Sequence, residues 1–190
     1  MEASIWTATL EQFRDRLASA EPAPAGVSAA AVSATFGLGL LTKVLEIASK
    51  RKDFAGDREL MRSLLDHARG TAQLLSRLAD QDVEAFNQYL DGLRRKQPTG
   101  AAVRRTIEVP LDIARAAASG LGLCEKATGM VHAFVAPDLG TACILLRGAV
   151  HAALLSVNLN IQQLPSGDPY RKEVAAEALR LAGAAVPSAG

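Results

Sequence analysis

Apolar positions recur along this chain at the three-to-four-residue interval of helices. Nowhere do β-branched or aromatic residues alternate over a run long enough for a strand. The pattern predicts six helices. The first covers residues 7–19 and is stopped by Glu21-Pro22-Ala23-Pro24-Ala25-Gly26, whose prolines cannot continue it. A second begins near Ser28, a suitable N-cap, and ends in Lys50-Arg51-Lys52, cations that suit the negative end of a helix dipole. After a break at 53–56, a long third helix covers 57–93. A basic loop at 94–100 leads to a fourth helix from about residue 101, with Pro110 either kinking it or marking its true start. An irregular stretch at 129–137 precedes a fifth helix at 138–163, for which Asp138 reads as the N-cap. Pro165-Ser166-Gly167-Asp168-Pro169 is a turn, and a sixth helix at 170–185 closes the fold before a frayed end at 187–190.

The expected fold is therefore all-α: an up-and-down bundle of about six helices forming one domain over residues 1–190, with its core at roughly 5–185. A chain of 190 residues is long enough to bury one substantial core. Lys plus Arg number 21 against 20 Asp plus Glu, so no overall field points to nucleic acid or an anionic membrane. The uncharged stretch 27–42 falls short of the ~20 apolar residues that a bilayer span needs and reads as a core helix. Its Ala, Gly, Ser and Thr residues allow close helix approach, which suits a homodimer contact. Charged residues throughout 1–20 give no secretory leader, so a cytoplasmic location is expected. Cys124 and Cys143 lie in apolar surroundings without zinc or redox spacing and read as buried thiols without a disulfide. Neither a metal site nor a prosthetic group is expected.

The candidate chemistry begins on the third helix. Leu75, Leu78, Ala79, Phe86, Tyr89 and Leu93 form one stripe at the helical period, and Asp82 lies in its middle, whereas Asp80, Glu84 and Asp91 point to the opposite side as surface carboxylates. A carboxylate on a core-facing stripe costs several kcal/mol unless something compensates it. Two readings follow: an ion pair with an arginine from another helix, or an active-site acid or base. On the fifth helix Arg147, His151, Asn158 and Gln162 share a face that reads as solvated. Ser156 and Asn160, four apart on a more apolar side, need partners across the core, either a substrate heterocycle or a neighbouring backbone.

The order of motifs resembles the cyclodeaminase domain of formiminotransferase-cyclodeaminase and the related methenyltetrahydrofolate cyclohydrolases, over roughly residues 10–180. The resemblance rests on Pro22-Ala23-Pro24-Ala25-Gly26-Val27-Ser28 before an alanine-rich helix and on the basic end Ser49-Lys50-Arg51-Lys52-Asp53-Phe54. It continues through Asp80-Gln81-Asp82-Val83-Glu84-Ala85-Phe86, Val109-Pro110-Leu111, Pro137-Asp138 and Ser156-Val157-Asn158-Leu159-Asn160. Three departures stand out. The family's triple glycine is Ala25-Gly26-Val27, its Gly-Asn is Val131-His132, and the third-to-fourth helix connection is shortened to 94–100. Because side chains resist positive φ, an anion-binding loop of bare amides is not expected to form in the same way at Ala25-Gly26-Val27.

The resemblance implies a one-carbon folate enzyme whose substrate is a tetrahydrofolate derivative. It either hydrolyses the methenyl bridge, a delocalised amidinium cation attacked by water, or forms that bridge from a formimino group with loss of ammonia. Such chemistry needs a base for the water and an acid for the departing ring nitrogen, and gains from a carboxylate near the cation. Matching the motifs assigns Asp82 and Asp138 as the carboxylate pair, Lys50 as proton donor or anchor, and His132 as an extra acid or base. Gly26, Ser28, Ser156 and Asn160 are assigned to substrate binding, with Arg104 and Arg105 gripping the glutamate tail of folate or simply solvating a helix start. A chain without a formiminotransferase domain points to the cyclohydrolase. Two other outcomes stay open: a scaffold repurposed for another amidine, imine or cyclisation substrate, and a non-catalytic oligomerisation module, whose signature is paired aspartates with no adjacent cavity.

Overall fold

The structure, a computed structural model, describes residues 4–52, 54 and 56–186; Asp53 and Ala55 of the expected break and the 187–190 tail lie outside the described residues. Six α-helices are present and, among the described residues, no strand. They are α1 (Leu10–Ala18), α2 (Gly26–Ser49), α3 (Arg58–Arg94), α4 (Gly100–Ala127), α5 (Ala136–Asn160) and α6 (Pro169–Ala184). Side-chain caps fix several of the starts. Thr9 and Gln12 form a reciprocal capping box on α1, Asp57 accepts from the Glu59 and Leu60 amides, and Asp168 accepts from that of Tyr170.

Two expected caps are wrong. α2 starts two residues before Ser28, and Ala25 in its cap position offers no side-chain bond. α5 starts two residues before Asp138, because Pro137 has its φ preset for a first turn and no N–H to satisfy there. Pro110 neither ends nor begins a helix; it lies buried inside α4.

Helices α2, α3, α4 and α5 form a ring in which each packs against the next and α5 returns to α2. Neighbours run antiparallel, since Ser28 meets Asp82 while Glu46 meets Arg69, and Arg105 meets Gln81 while Asn160 meets Thr106. The bundle interior holds Leu38, Leu41, Leu45, Leu75, Ile107, Leu111, Ile113 and Leu146, all 0–2% exposed. Leu146 is accommodated by two glycines: a Cβ added at Gly37 or Gly120 would come within 3.1 or 2.9 Å of its side chain. The stretches Gly26–Ser49 and Ala133–Gln163 are each long and apolar enough to cross a membrane by length and composition. Of the apolar window in Gly26–Ser49, 56% is buried inside the bundle, as in a core helix.

Outside the ring, α6 lies over α4 and α5. Arg147 Nε donates to the Ala185 carbonyl at 2.7 Å, so the α5 face expected to be solvated is partly covered there. Arg115 is bound by Glu177 and Asp112, and Arg104 stacks 4.7 Å over the Tyr170 ring while pairing with Asp168 at 3.1 Å. Asp80 is no bare surface carboxylate, for it accepts from Ser4 Oγ at 2.7 Å and the Ile5 amide at 2.9 Å and docks the N-terminal turn on α3. The apolar stripe of α3 fades before Leu93, which is 50% exposed. Both cysteines are free thiols; Cys143 is only half-buried. Burial, with Cys143 adjacent, pushes the Cys124 thiol well up.

Candidate active site

At the end of the bundle where α2 begins, the four ring helices and the segment ahead of α2 enclose a cavity of about 160 Å³. Its walls are Pro22, Ala23, Ala25, Gly26 and Val27 from the chain entering α2, Asp82 and Phe86 from α3, Thr106 from α4, and Ser156, Leu159 and Asn160 from α5. Four residues singled out from the sequence, Gly26, Asp82, Ser156 and Asn160, thus meet in one place although they are far apart in the chain.

Asp82 is the sole charged residue of this lining. Its Oδ2 accepts a 2.6 Å hydrogen bond from Ser28 Oγ. Among the described residues no cation compensates it, so the ion-pair reading does not hold there. Burial raises its carboxyl pKa above the ordinary value, and the Ser28 hydroxyl and backbone amide oppose that rise without cancelling it. Ser28 is fully buried, with its hydroxyl committed to Asp82, and so it supports the carboxylate rather than touching a substrate.

The opposite wall is organised by Pro110. A proline in a helix interior has no N–H for the carbonyl four residues earlier, here that of Thr106. That freed carbonyl accepts from Asn160 Nδ2 at 2.8 Å, which fixes the amide beside the cavity. Ser156 faces the same space, and no described residue hydrogen-bonds its hydroxyl. The sequence signal for Thr106 is its position four residues before Pro110. Around Ala25-Gly26-Val27 the feared strain is absent. Among the described residues the lone positive φ is that of Lys96, and Ala25 adopts an extended conformation that any residue tolerates. Gly26 has open space where a Cβ would be.

The remaining candidates lie elsewhere. Asp138 pairs with Lys43 Nζ at 2.7 Å, and Lys43 is fifteen residues along α2 from Ser28, about 22 Å at 1.5 Å per residue. Within one chain, therefore, Asp82 and Asp138 do not form the expected pair. Lys50 is exposed at the C-cap of α2, bound to Glu46 at 2.9 Å, and Glu46 also takes Arg69; these cations hold the Glu46 carboxyl below its usual range. His132 Nδ1 accepts from the Phe134 amide and caps a short 3-10 turn before α5. Arg104 is held against α6, whereas Arg105 donates to Gln81, and neither lines the cavity. Among the described residues no three His, Cys, Asp or Glu side chains converge as metal ligands would.

An antiparallel helical ring thus carries one carboxylate in an otherwise uncharged cavity at its end. The formiminotransferase-cyclodeaminase family model matches residues 9–180, and the chain belongs to that family. A methenyltetrahydrofolate cyclohydrolase of Methylorubrum extorquens is 26% identical over 82% of this chain and 80% of its own length. The formimidoyltransferase-cyclodeaminase of Sus scrofa is 25% identical over 91% of this chain, which spans only 34% of that protein. The fold matches the crystal structure of formiminotetrahydrofolate cyclodeaminase from Thermotoga maritima with a TM-score of 0.88, at 21% identity and over 95% of this chain and 91% of that one.

Proposed function

We propose that the protein is a one-carbon folate enzyme that hydrolyses the methenyl bridge of 5,10-methenyltetrahydrofolate, with Asp82 as general base. The carrying observation is the cavity's charge: a single carboxylate among apolar and neutral polar groups, which favours a delocalised cation such as this amidinium. Desolvation, by raising its proton affinity, makes Asp82 a better base. The water oxygen bonds to the bridging carbon as Asp82 takes a proton, and the C=N π electrons settle on nitrogen. The tetrahedral adduct then collapses: the carbon–ring nitrogen bond breaks, that nitrogen takes the proton from Asp82, and the hydroxyl proton leaves to solvent. Cation and water become a formyl product and one proton.

Ser156 and Asn160 are placed to bond the polar edge of the substrate ring. A cavity of about 160 Å³ is smaller than the usual ~300–1,000 Å³ of ligand pockets, so it takes the reacting end and leaves the rest at its mouth. The Methylorubrum relative supports hydrolysis. The Sus scrofa relative, by name, supports ring closure on a formimino carbon with loss of ammonia, which the same carboxylate serves. The test is the loss of methenyltetrahydrofolate absorbance above the spontaneous rate, run beside ammonia release from the formimino compound. Wild type should accelerate one of them. If it accelerates neither and binds no folate, the reading fails and another amidine or imine substrate takes its place.

A homodimer is part of this reading. Phe36, Ile144, Leu155 and Leu159 stand 47–73% exposed on α2 and α5, and a Cβ at Gly39, Gly140 or Gly148 would meet nothing, which leaves room for close approach. Phe36 lies about midway along α2 between the Ser28 and Lys43 levels. A two-fold axis there would bring Lys43 and Asp138 of one copy towards the Asp82 cavity of the other. Sedimentation equilibrium should give twice the 19.9 kDa chain mass, and Phe36→Asp should return it to the monomer.

A further inference from the structure

Ser28 is in the first turn of α2, fully buried, and its hydroxyl makes one hydrogen bond, to the one charged group in the cavity wall. Nothing else near Asp82 does comparable work. From α4 the groups facing it are Thr106, whose hydroxyl is spent on the Val103 carbonyl, and Arg105, which is turned to Gln81. From α5 they are the uncharged Ser156 and Asn160, and from the entering segment only apolar residues. On α3 itself Asp80 is engaged by Ser4 and Ile5, and Phe86 is apolar. The charged form of Asp82 therefore depends on Ser28 far more than on any cation.

Building on the function proposed above, we propose that Ser28 is a positioning residue: it fixes one carboxylate oxygen of Asp82 against the start of α2 and keeps the acid ionised when substrate enters. The arrangement also gives α2 what Ala25 cannot, an anionic acceptor at its N-terminal end, where first-turn amides lack partners. Asp82, the helix start and the Pro22–Gly26 wall are thereby one unit. The direction of the Asp82 titration agrees, since Ser28 acts against the rise caused by burial.

The experiment is the pH profile of kcat/KM for wild type, Ser28→Ala and Ser28→Thr, with thermal unfolding of the same proteins and of Asp82→Asn followed against pH. Losing a hydrogen bond to a charged group should cost about tenfold in kcat/KM at the acid end, where the base is being protonated. In Ser28→Ala the acid limb should move to higher pH, with a smaller loss on the plateau, and Ser28→Thr should restore the wild-type limb. A uniform fall across the pH range with the limb unmoved would make Ser28 a packing residue only and overturn the proposal. Unfolding separates this outcome from failure of the folate reading, because it needs no substrate. Ser28→Ala should widen the pH range over which stability falls, and Asp82→Asn should abolish that dependence. Identical unfolding profiles for wild type and Ser28→Ala would sink the proposal even if the enzyme proved active.

Discussion

The two ends of the bundle each hold a motif aspartate, and they treat it in opposite ways. The Asp138 side chain is 36% exposed and paired at 2.7 Å with a lysine that is 57% exposed, and further along α2 Lys50, Glu46 and Arg69 answer one another's charge. Asp82 faces a largely apolar cavity with a hydroxyl as its partner and, among the described residues, no counter-ion. In water an ion pair gains little and commits its carboxylate to a neighbour. In the cavity the carboxylate keeps unspent electrostatic demand, which a cationic substrate can satisfy. Charge pairing of both aspartates with no adjacent cavity was the expected mark of a non-catalytic module; Asp138 is paired, whereas Asp82 has no cation partner among the described residues and lines a cavity.

Asp82→Asn should give the largest effect and tests the contrast most directly. A general base contributes about 10²–10⁴-fold, so if Asp82 has the proposed role kcat/KM should drop by that factor with the fold unchanged. Stability should move the other way. A carboxyl whose pKa is raised on folding binds its proton more tightly in the folded state than in the unfolded one. Folding is then penalised as pH rises from the unfolded pKa through the raised folded value, and the full penalty stands above it. Asparagine removes that penalty while still accepting from Ser28, so Tm should exceed wild type at neutral pH and converge with it in acid. A lower Tm at neutral pH would mean that Asp82 is a structural anchor and would erase the difference between the two ends.

The helices and their order were readable because each carries an apolar face at the helical period and several bring their own caps, Asp57 and Asp168 among them. Asp82 was readable for the same reason: a charge on an apolar stripe is an anomaly that periodicity exposes. Asp138 misled because motif order says nothing about which end of an antiparallel helix a residue occupies. Asp82, late in α3, lies beside the start of α2, whereas Asp138, early in α5, lies beside its later turns. Ser28 misled through local reasoning, since a serine ahead of an apolar run reads as a cap and its real partner is 54 residues away. The Thr106–Asn160 bond needed two steps, a proline freeing a carbonyl and a distant helix supplying the donor, and only the second requires the fold.

That bond gives the next test. Pro110→Ala supplies an N–H that competes for the Thr106 carbonyl, so Asn160 should loosen and kcat/KM should fall by about fivefold, the worth of one ordinary hydrogen bond. Stability should change little, because a regained helix bond of about 1 kcal/mol offsets the buried ring atoms lost. The Asn160 side-chain amide resonances in a ¹⁵N spectrum should broaden or shift. If they stay fixed while activity falls, the proline acts through helix shape and not through the freed carbonyl.

The smallest effect should come from the other end. Lys43→Ala breaks an exposed pair, worth about 0–1 kcal/mol, which for a chain of this size is at most about 4 °C in Tm, and the difference should shrink in high salt because mobile ions screen exposed charges. Activity separates two versions of the contrast. If each site is complete within one chain, Lys43→Ala should leave kcat/KM at the wild-type value, since the pair stands about 22 Å along α2 from Asp82. If a second copy brings its Lys43 and Asp138 to the cavity, kcat/KM should fall several-fold at unchanged stability. Mixing Asp82→Asn with Asp138→Asn chains should then recover activity neither has alone, because each mixed dimer contains one site with both carboxylates intact. Recovery would convert the apparent opposition of the two ends into two halves of one shared site.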